Sequence, residues 1–195
     1  MKFQLKRWRL CLCLPCFLMS VSVFLQGERR YFDVQGANYF LDTNFIFVGK
    51  LVGRESFRSS DGRFIFTRHI FQVQEAIKGN PGNQVEITEY GGTVGRESMS
   101  VSHGPAYLVG QEYLVFSYVD LLRHNRTLAG PLGQFRLIAE KNGRRMVRIP
   151  PSHPLHEVLD PQGAPLFQDV STLSAKLREL AGKFSQRKEA GHAKK

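Results

Sequence analysis

The chain has 195 residues, with 27 Lys and Arg against 17 Asp and Glu, a formal charge of +10. At 42% hydrophobic and 11% aromatic content it is too apolar for wholesale disorder. The charge sits at the ends: residues 1–27 and 183–195 carry +4 each, and the intervening 155 residues carry +2. A nucleic-acid binder needs its cations clustered on a folded face, so this distribution argues against that class.

Met1–Arg9 is basic, and Leu10–Leu25 follows without a charge. This is the layout of a secretory signal, with the positive flank retained on the cytoplasmic side. Sixteen apolar or small residues are short for a spanning helix, which needs about 20, and Pro15 weakens a continuous helix. Residues 1–27 are therefore expected to be a signal peptide cleaved near Gly27, or an uncleaved signal anchor. Cys11, Cys13 and Cys16, the three cysteines, all lie inside this run. The residue before a lipid-anchored cysteine should be small, and Leu12 and Pro15 are not. A mature chain starting near residue 28 has no disulfide and relies on its core alone, and a domain of about 155 residues buries about two-thirds of its surface.

Residues 28–184 are expected to form one β-rich domain. Phe45–Val52 is rich in β-branched and aromatic residues and reads as a buried strand. Ser59-Ser60-Asp61-Gly62 signals a hairpin turn. Phe64–Ala76 alternates, with a register change near Arg68-His69 that suggests a bulge. Lys78–Asn83 is a turn, and Gln84–Tyr90 alternates again. Met99–Ser102 is a weaker strand, broken by His103-Gly104-Pro105. Tyr113–Val119 is a second strongly apolar strand. Gly133–Glu140 and Arg144–Ile149 flank Lys141-Asn142-Gly143, a second hairpin. Pro150–Pro165 reads as irregular. Leu173, Leu177, Leu180 and Phe184 recur at helical spacing, with Asp169 or Ser171 as cap and Gly182 near the end. Residues 185–195 read as a basic disordered tail. The pattern is mainly β, a barrel or sandwich with a C-terminal amphipathic helix.

Three stretches, Ile46–Val52, Phe71–Gly79 and the strand ending in Gly91-Gly92-Thr93-Val94-Gly95, are followed by Gly110–Phe116 and Gly133–Leu137. Together they resemble a group of exported bacterial proteins. They also resemble the OB-fold family of tissue-inhibitor-of-metalloproteinases and netrin-like modules, over roughly residues 45–140. The resemblance implies a five-stranded Greek-key barrel, closed or partly open. The inhibitors of that family place an N-terminal disulfide-held cysteine on the protease zinc. A cysteine-free mature chain has no residue for that role, so the resemblance carries scaffold rather than mechanism.

No residue announces catalysis. His153-Pro154-Leu155-His156 lies beside Glu157 and Asp160, but the prolines disfavour a helix and no third metal ligand is specified. His69 reads as a packed strand residue and His103 as a turn residue. Gly95-Arg96-Glu97-Ser98-Met99 lacks the second glycine of a nucleophile elbow. Gly91–Gly95 lacks the Lys-Ser/Thr ending of a phosphate loop and reads as a turn or bulge. Phe64, Phe66, Arg68 and Phe71 could form a stacking face of the OB kind, against a simpler reading as core. Asn125-Arg126-Thr127 matches a glycosylation sequon, meaningful only in a eukaryotic secretory path. His103, Tyr107, Arg96 and Arg68 are the candidate binding-surface residues. No catalytic, cofactor or metal residue is expected.

The expectation is therefore an exported, non-catalytic binding module of the bacterial envelope, in the periplasm or outside the cell, or anchored at the inner membrane. Its partner would be a protein rather than a nucleic acid, with membrane contact confined to residues 1–27 or the basic tail. The alternatives are an inhibitor or accessory partner of an exported protease, and an envelope enzyme.

Overall fold

A computed structural model describes residues 42–159 and 167–192. Every described residue belongs to one compact unit, which begins at Phe32. The segment expected to be a signal peptide or signal anchor, residues 1–27, lies outside the described residues.

The described chain is mainly β with one long C-terminal helix. Strands β1 (Phe45–Arg58) and β2 (Ile65–Lys78) form a long antiparallel hairpin, and β3 (Gln84–Tyr90) pairs along β2. Short β4 (Gly92–Val94) and β5 (Glu97–Met99) make a separate hairpin. On the other side of β1 lies β6 (Glu112–Val119), which also pairs with β7 (Asn125–Thr127) and β8 (Gln134–Ala139). β9 (Arg145–Arg148) and β10 (Phe167–Asp169) extend the sheet beyond β8. The order is β10-β9-β8-β6-β1-β2-β3, with β7 off the path. Among the described residues no ladder joins β3 to β10, and no sheet closes into a barrel. β7 nevertheless reaches β3 by side chains: Asn125 Nδ2 donates to the Glu86 carbonyl at 3.0 Å, and Glu89 Oε1 accepts from the Thr127 amide at 2.7 Å.

The first strand runs six residues beyond the expected Phe45–Val52. Its distal half is polar, yet the backbone ladder to β2 carries it to Arg58. Register shifts fall between Ile46/Phe47, Val48/Gly49 and Leu51/Gly53, not at the expected Arg68-His69. The β2–β3 register is unbroken through those two residues.

β1 and β6 show why runs of consecutive apolar residues mean two-sided burial. Ile46, Val48, Leu114 and Phe116 enter one core cluster, completed by β8, β9 and the helix. Phe47, Leu51, Tyr113 and Val115 enter the other, with Phe71, Val85, Ile87 and Tyr107. A short helix α1 (Leu155–Leu159) occupies part of Pro150–Pro165, the segment expected to be irregular. Helix α2 (Val170–His192) closes the first cluster with the fully buried Leu173 and Leu177. Asp169 caps it, its Oδ1 accepting from the Ser171 amide at 2.9 Å. The backbone helix runs past Gly182 to His192, where a tail was expected. Gln, Arg, Lys, Glu and Ala in that stretch are good helix formers, and Gly182 and Gly191 cost only about 1 kcal/mol each.

Candidate functional site

The β1–β2–β3 register assembles an aromatic cluster. Phe57 pairs with Phe66, and Phe66 pairs with Tyr90, so three rings from three strands lie side by side. Phe64, just before β2, joins them. Centroids are 5.7 Å apart for Phe57–Phe66, 4.8 Å for Phe66–Tyr90 and 5.8 Å for Phe64–Tyr90. Phe66 is buried, whereas Phe64 and Tyr90 are 42% and 43% exposed.

Three arginines lie over these rings. Arg68 stands 5.1 Å from the Phe57 centroid and Arg63 5.9 Å from that of Phe64. Arg126 lies 4.2 Å from Tyr90 and 5.2 Å from Phe66. Such contacts are worth about 0.5–1 kcal/mol each when exposed and about 2 when desolvated. Arg126 is the desolvated one, at 3% exposure.

Arg126 is placed by the turn between β6 and β7. Asp120 Oδ1 accepts from the His124 amide at 2.8 Å, which shapes the turn. Its Oδ2 takes Arg126 Nε at 2.8 Å. Burial pushes the Asp120 carboxyl up, but the Arg126 and His124 bonds outweigh it and hold it below the ordinary value. Glu89 balances the other way. Its burial outweighs the Thr127 bonds and the Arg126 charge, and its carboxyl is pushed up. Glu89 Oε2 is 4.0 Å from Arg126 Nη1, and Nη1 and Nη2 have no hydrogen-bond partner among the described residues.

Beside Tyr90 and Arg126 lies a cleft of about 190 Å³, lined also by Glu89, His103, Tyr118 and Ala129. His103 (φ 60°) and Ala129 (φ 51°) are two of the three non-glycine residues in left-handed conformation among the described residues. Such strain costs of order 1 kcal/mol or more per residue. Gly130 sits against His103: a Cβ there would lie 2.7 Å from the His103 carbonyl oxygen.

The four expected surface residues do not form one patch. Arg68 belongs to the aromatic cluster and pairs with Glu86 at 3.1 Å and Glu55 at 3.8 Å. His103 lines the cleft. Arg96 is exposed in the β4–β5 turn. Tyr107 must be corrected: it is a core residue, 4% exposed, packed edge-on against Phe71 and Tyr113. Its hydroxyl shares a hydrogen bond with Thr127 Oγ1 at 2.8 Å, so it supports the cleft from beneath. Phe71, included in the expected stacking face, is also fully buried. Tyr90, Tyr118 and Arg126 are not among the expected residues, and Glu89, which reads in sequence as a solvent-facing strand carboxylate, has a side chain only 13% exposed. Nothing local marks Arg126, which shares a short polar segment with Arg123 and His124.

The remaining motifs resolve as structural. His153 Nε2 bonds the Leu132 carbonyl at 2.8 Å, its Nδ1 accepts from the Leu155 amide at 3.1 Å, and His156 Nε2 bonds the Ile149 carbonyl at 3.1 Å. Burial lowers the His153 imidazole to about 4. No cluster of three metal-ligating side chains occurs among the described residues. Gly91 (φ 100°) and Gly92 (φ 127°) form the bend from β3 into β4. Asn125 spends its amide nitrogen on the Glu86 carbonyl, so attaching a glycan there would break the β7–β3 contact.

Comparison with protein-family models, curated proteins and solved structures finds no match to this chain.

Proposed function

We propose that the chain is an exported, non-catalytic binding module on an OB-like, partly open barrel, and that it holds a protein partner on the aromatic–arginine face. The observation that carries this reading is the ring cluster itself: Phe64 and Tyr90 stand more than two-fifths exposed above a buried Phe66. Clustered exposed aromatics mark interaction sites. Tyr and Arg are the residues most enriched where binding energy concentrates. The approach of β7 to β3 supports the OB-like reading, because β1, β2, β3, β7 and β6 then follow one another around a core. The face spans the β1–β2–β3 end and the loops beside it, where OB folds carry ligands. The apolar run after a basic N-terminus supports export.

The test is affinity capture from an envelope fraction with the wild-type chain and a Phe64→Ser/Tyr90→Ser variant. A protein retained by the first and lost by the second supports the reading; equal capture by both overturns it. Mass spectrometry of the native N-terminus reports cleavage near Gly27 or its absence. Whether a captured partner is a protease separates the inhibitor reading, which rests on fold analogy.

An enzymatic reading has one observation in its favour. Glu89 is a carboxyl pushed up by burial, in a cleft flanked by strained His103 and Ala129. Under the binding reading Glu89→Gln leaves partner capture unchanged.

A further inference from the structure

A second surface lies away from the aromatic cluster and shares no lining residue with its cleft. It is an open groove of about 930 Å³. Its charged lining side chains are Lys50 of β1, Glu112 of β6, Arg136 of β8, and Arg145 and Arg148 of β9. Four cations against one carboxylate leave it at +3, on a segment whose 155 residues total only +2. The rest of that segment is therefore close to neutral, and its excess charge is concentrated here.

The cations divide into two kinds. Arg136 Nε donates to Gln111 Oε1 at 3.2 Å, and Arg145 is held between Gln74 Oε1 at 2.8 Å and Glu112 at 3.6 Å. These two are fixed in place before any ligand arrives, which lowers the entropy cost of binding. Lys50 and Arg148 are exposed and make no ion pair among the described residues. The lining also includes apolar Leu132, Leu137 and Ile138 beside polar Gln111 and Gln134, with Ile138 of β8 47% exposed. β8 is six residues long, which at about 3.3 Å per residue gives roughly 20 Å, room for a similar length of extended peptide.

We propose that this groove docks an acidic segment of a partner protein, an extended peptide that offers carboxylates to Lys50, Arg136 and Arg148 and an aliphatic side chain to Ile138. Charge complementarity selects the anion, and the aliphatic floor favours a peptide over a uniformly polar sugar polymer. Carboxylates at this rim speed association and add affinity that salt screens, so the contact is salt-sensitive.

The experiment is fluorescence anisotropy of the full chain with three labelled probes: a short peptide alternating glutamate and leucine, its glutamine analogue, and a sulfated oligosaccharide. The acidic peptide should bind saturably, with affinity at least about tenfold above the glutamine analogue, an electrostatic difference of about 1.4 kcal/mol. Raising salt to about 0.5 M should weaken it by a similar factor as screening shortens. Lys50→Glu/Arg148→Glu changes only exposed side chains and should lose the binding, while Phe64→Ser should leave it intact. That last arm keeps the groove separate from the aromatic face, so either can fail without the other. Equal binding of the glutamine peptide, unchanged binding by the charge-reversed variant, tighter binding of the sulfated oligosaccharide, or no saturable peptide binding would each overturn the proposal.

Discussion

The Arg126 guanidinium lies over the face of Tyr90, 4.2 Å from the ring centroid, while Asp120 grips its Nε at 2.8 Å from the preceding turn. One buried cation thus joins β7, β3 and the β6–β7 turn. Removing one partner of a buried charge network leaves the others desolvated and unpaired, which costs about 3–5 kcal/mol. Arg126→Ala should lower stability by that amount in urea denaturation. Arg126→Lys should recover only part of it, since an ammonium keeps the charge but loses the planar stack. A loss below about 1 kcal/mol for Arg126→Ala would place the network among solvent-screened pairs.

Two imidazoles set the acid side of the stability profile. Burial, with a smaller contribution from the Arg54 charge, lowers His69 from 6.5 to about 4. His153 is lowered to about the same value, chiefly by burial. Both folded values lie below the unfolded one, so the unfolded chain binds more protons between pH 6.5 and 4. Stability is then fully present above pH 6.5 and falls as pH drops toward 4, by at most about 3 kcal/mol for each imidazole. Urea midpoints measured from pH 7 to 4 should show this fall. His69→Phe should remove one of the two protons from the slope.

Glu89 acts with the opposite sign. Its folded carboxyl is pushed above the unfolded value by burial, so the stability it contributes is present in acid and lost as pH rises through the folded value. Glu89→Gln should therefore gain on the wild type as pH rises. A pH-independent difference between the two would contradict a buried, reluctant carboxylate at this position.

The bend from β3 to β4 depends on absent side chains. Gly92 has φ 127°, and a Cβ there would lie 2.3 Å from Thr67 Oγ1 and 2.4 Å from Ser56 Oγ. Those two hydroxyls are themselves bonded at 2.9 Å, and Thr67 donates to the Gly91 carbonyl at 2.7 Å. Gly92→Ala should cost about 3 kcal/mol or more. Gly95 (φ 62°) meets nothing within 4 Å, so Gly95→Ala should cost only the left-handed penalty of about 1–2 kcal/mol. Thermal melts of the two variants give the comparison.

Leu173 and Leu177 of α2 are both fully buried. Truncating either to alanine should cost about 2–5 kcal/mol. Leu180, only partly buried at the same cluster, should cost less on truncation. Equal losses at Leu177 and Leu180 in urea denaturation would mean that the helix packs more deeply than its first turns indicate.

Much of this fold was legible one segment at a time. Phe45–Val52 and Tyr113–Val119 read as buried strands because they are rich in β-branched and aromatic residues, and residues of each do enter both core clusters. Lys78–Asn83 and Lys141–Gly143 read as turns because they contain the residues that accept positive φ, and Gly79 (71°), Gly82 (74°) and Gly143 (80°) adopt it. Leu173 and Leu177 read as a helix face. The candidate site was legible only in pieces: Arg68 and His103 take part in it, Tyr107 sits beneath it, and Arg96 stands apart in a turn.

The sequence by itself determined where apolar residues alternate and where the chain must bend, because those properties depend on neighbours two to four residues apart. Tertiary structure decided which strands became neighbours. Phe57, Phe66 and Tyr90 meet through a register between residues far apart in the chain. Arg126 becomes buried only because the β6–β7 turn carries it onto β3. Its meaning therefore rests on contacts that no local pattern encodes: the same arginine on an open turn would be a solvated charge, and under Tyr90 it is the centre of the site.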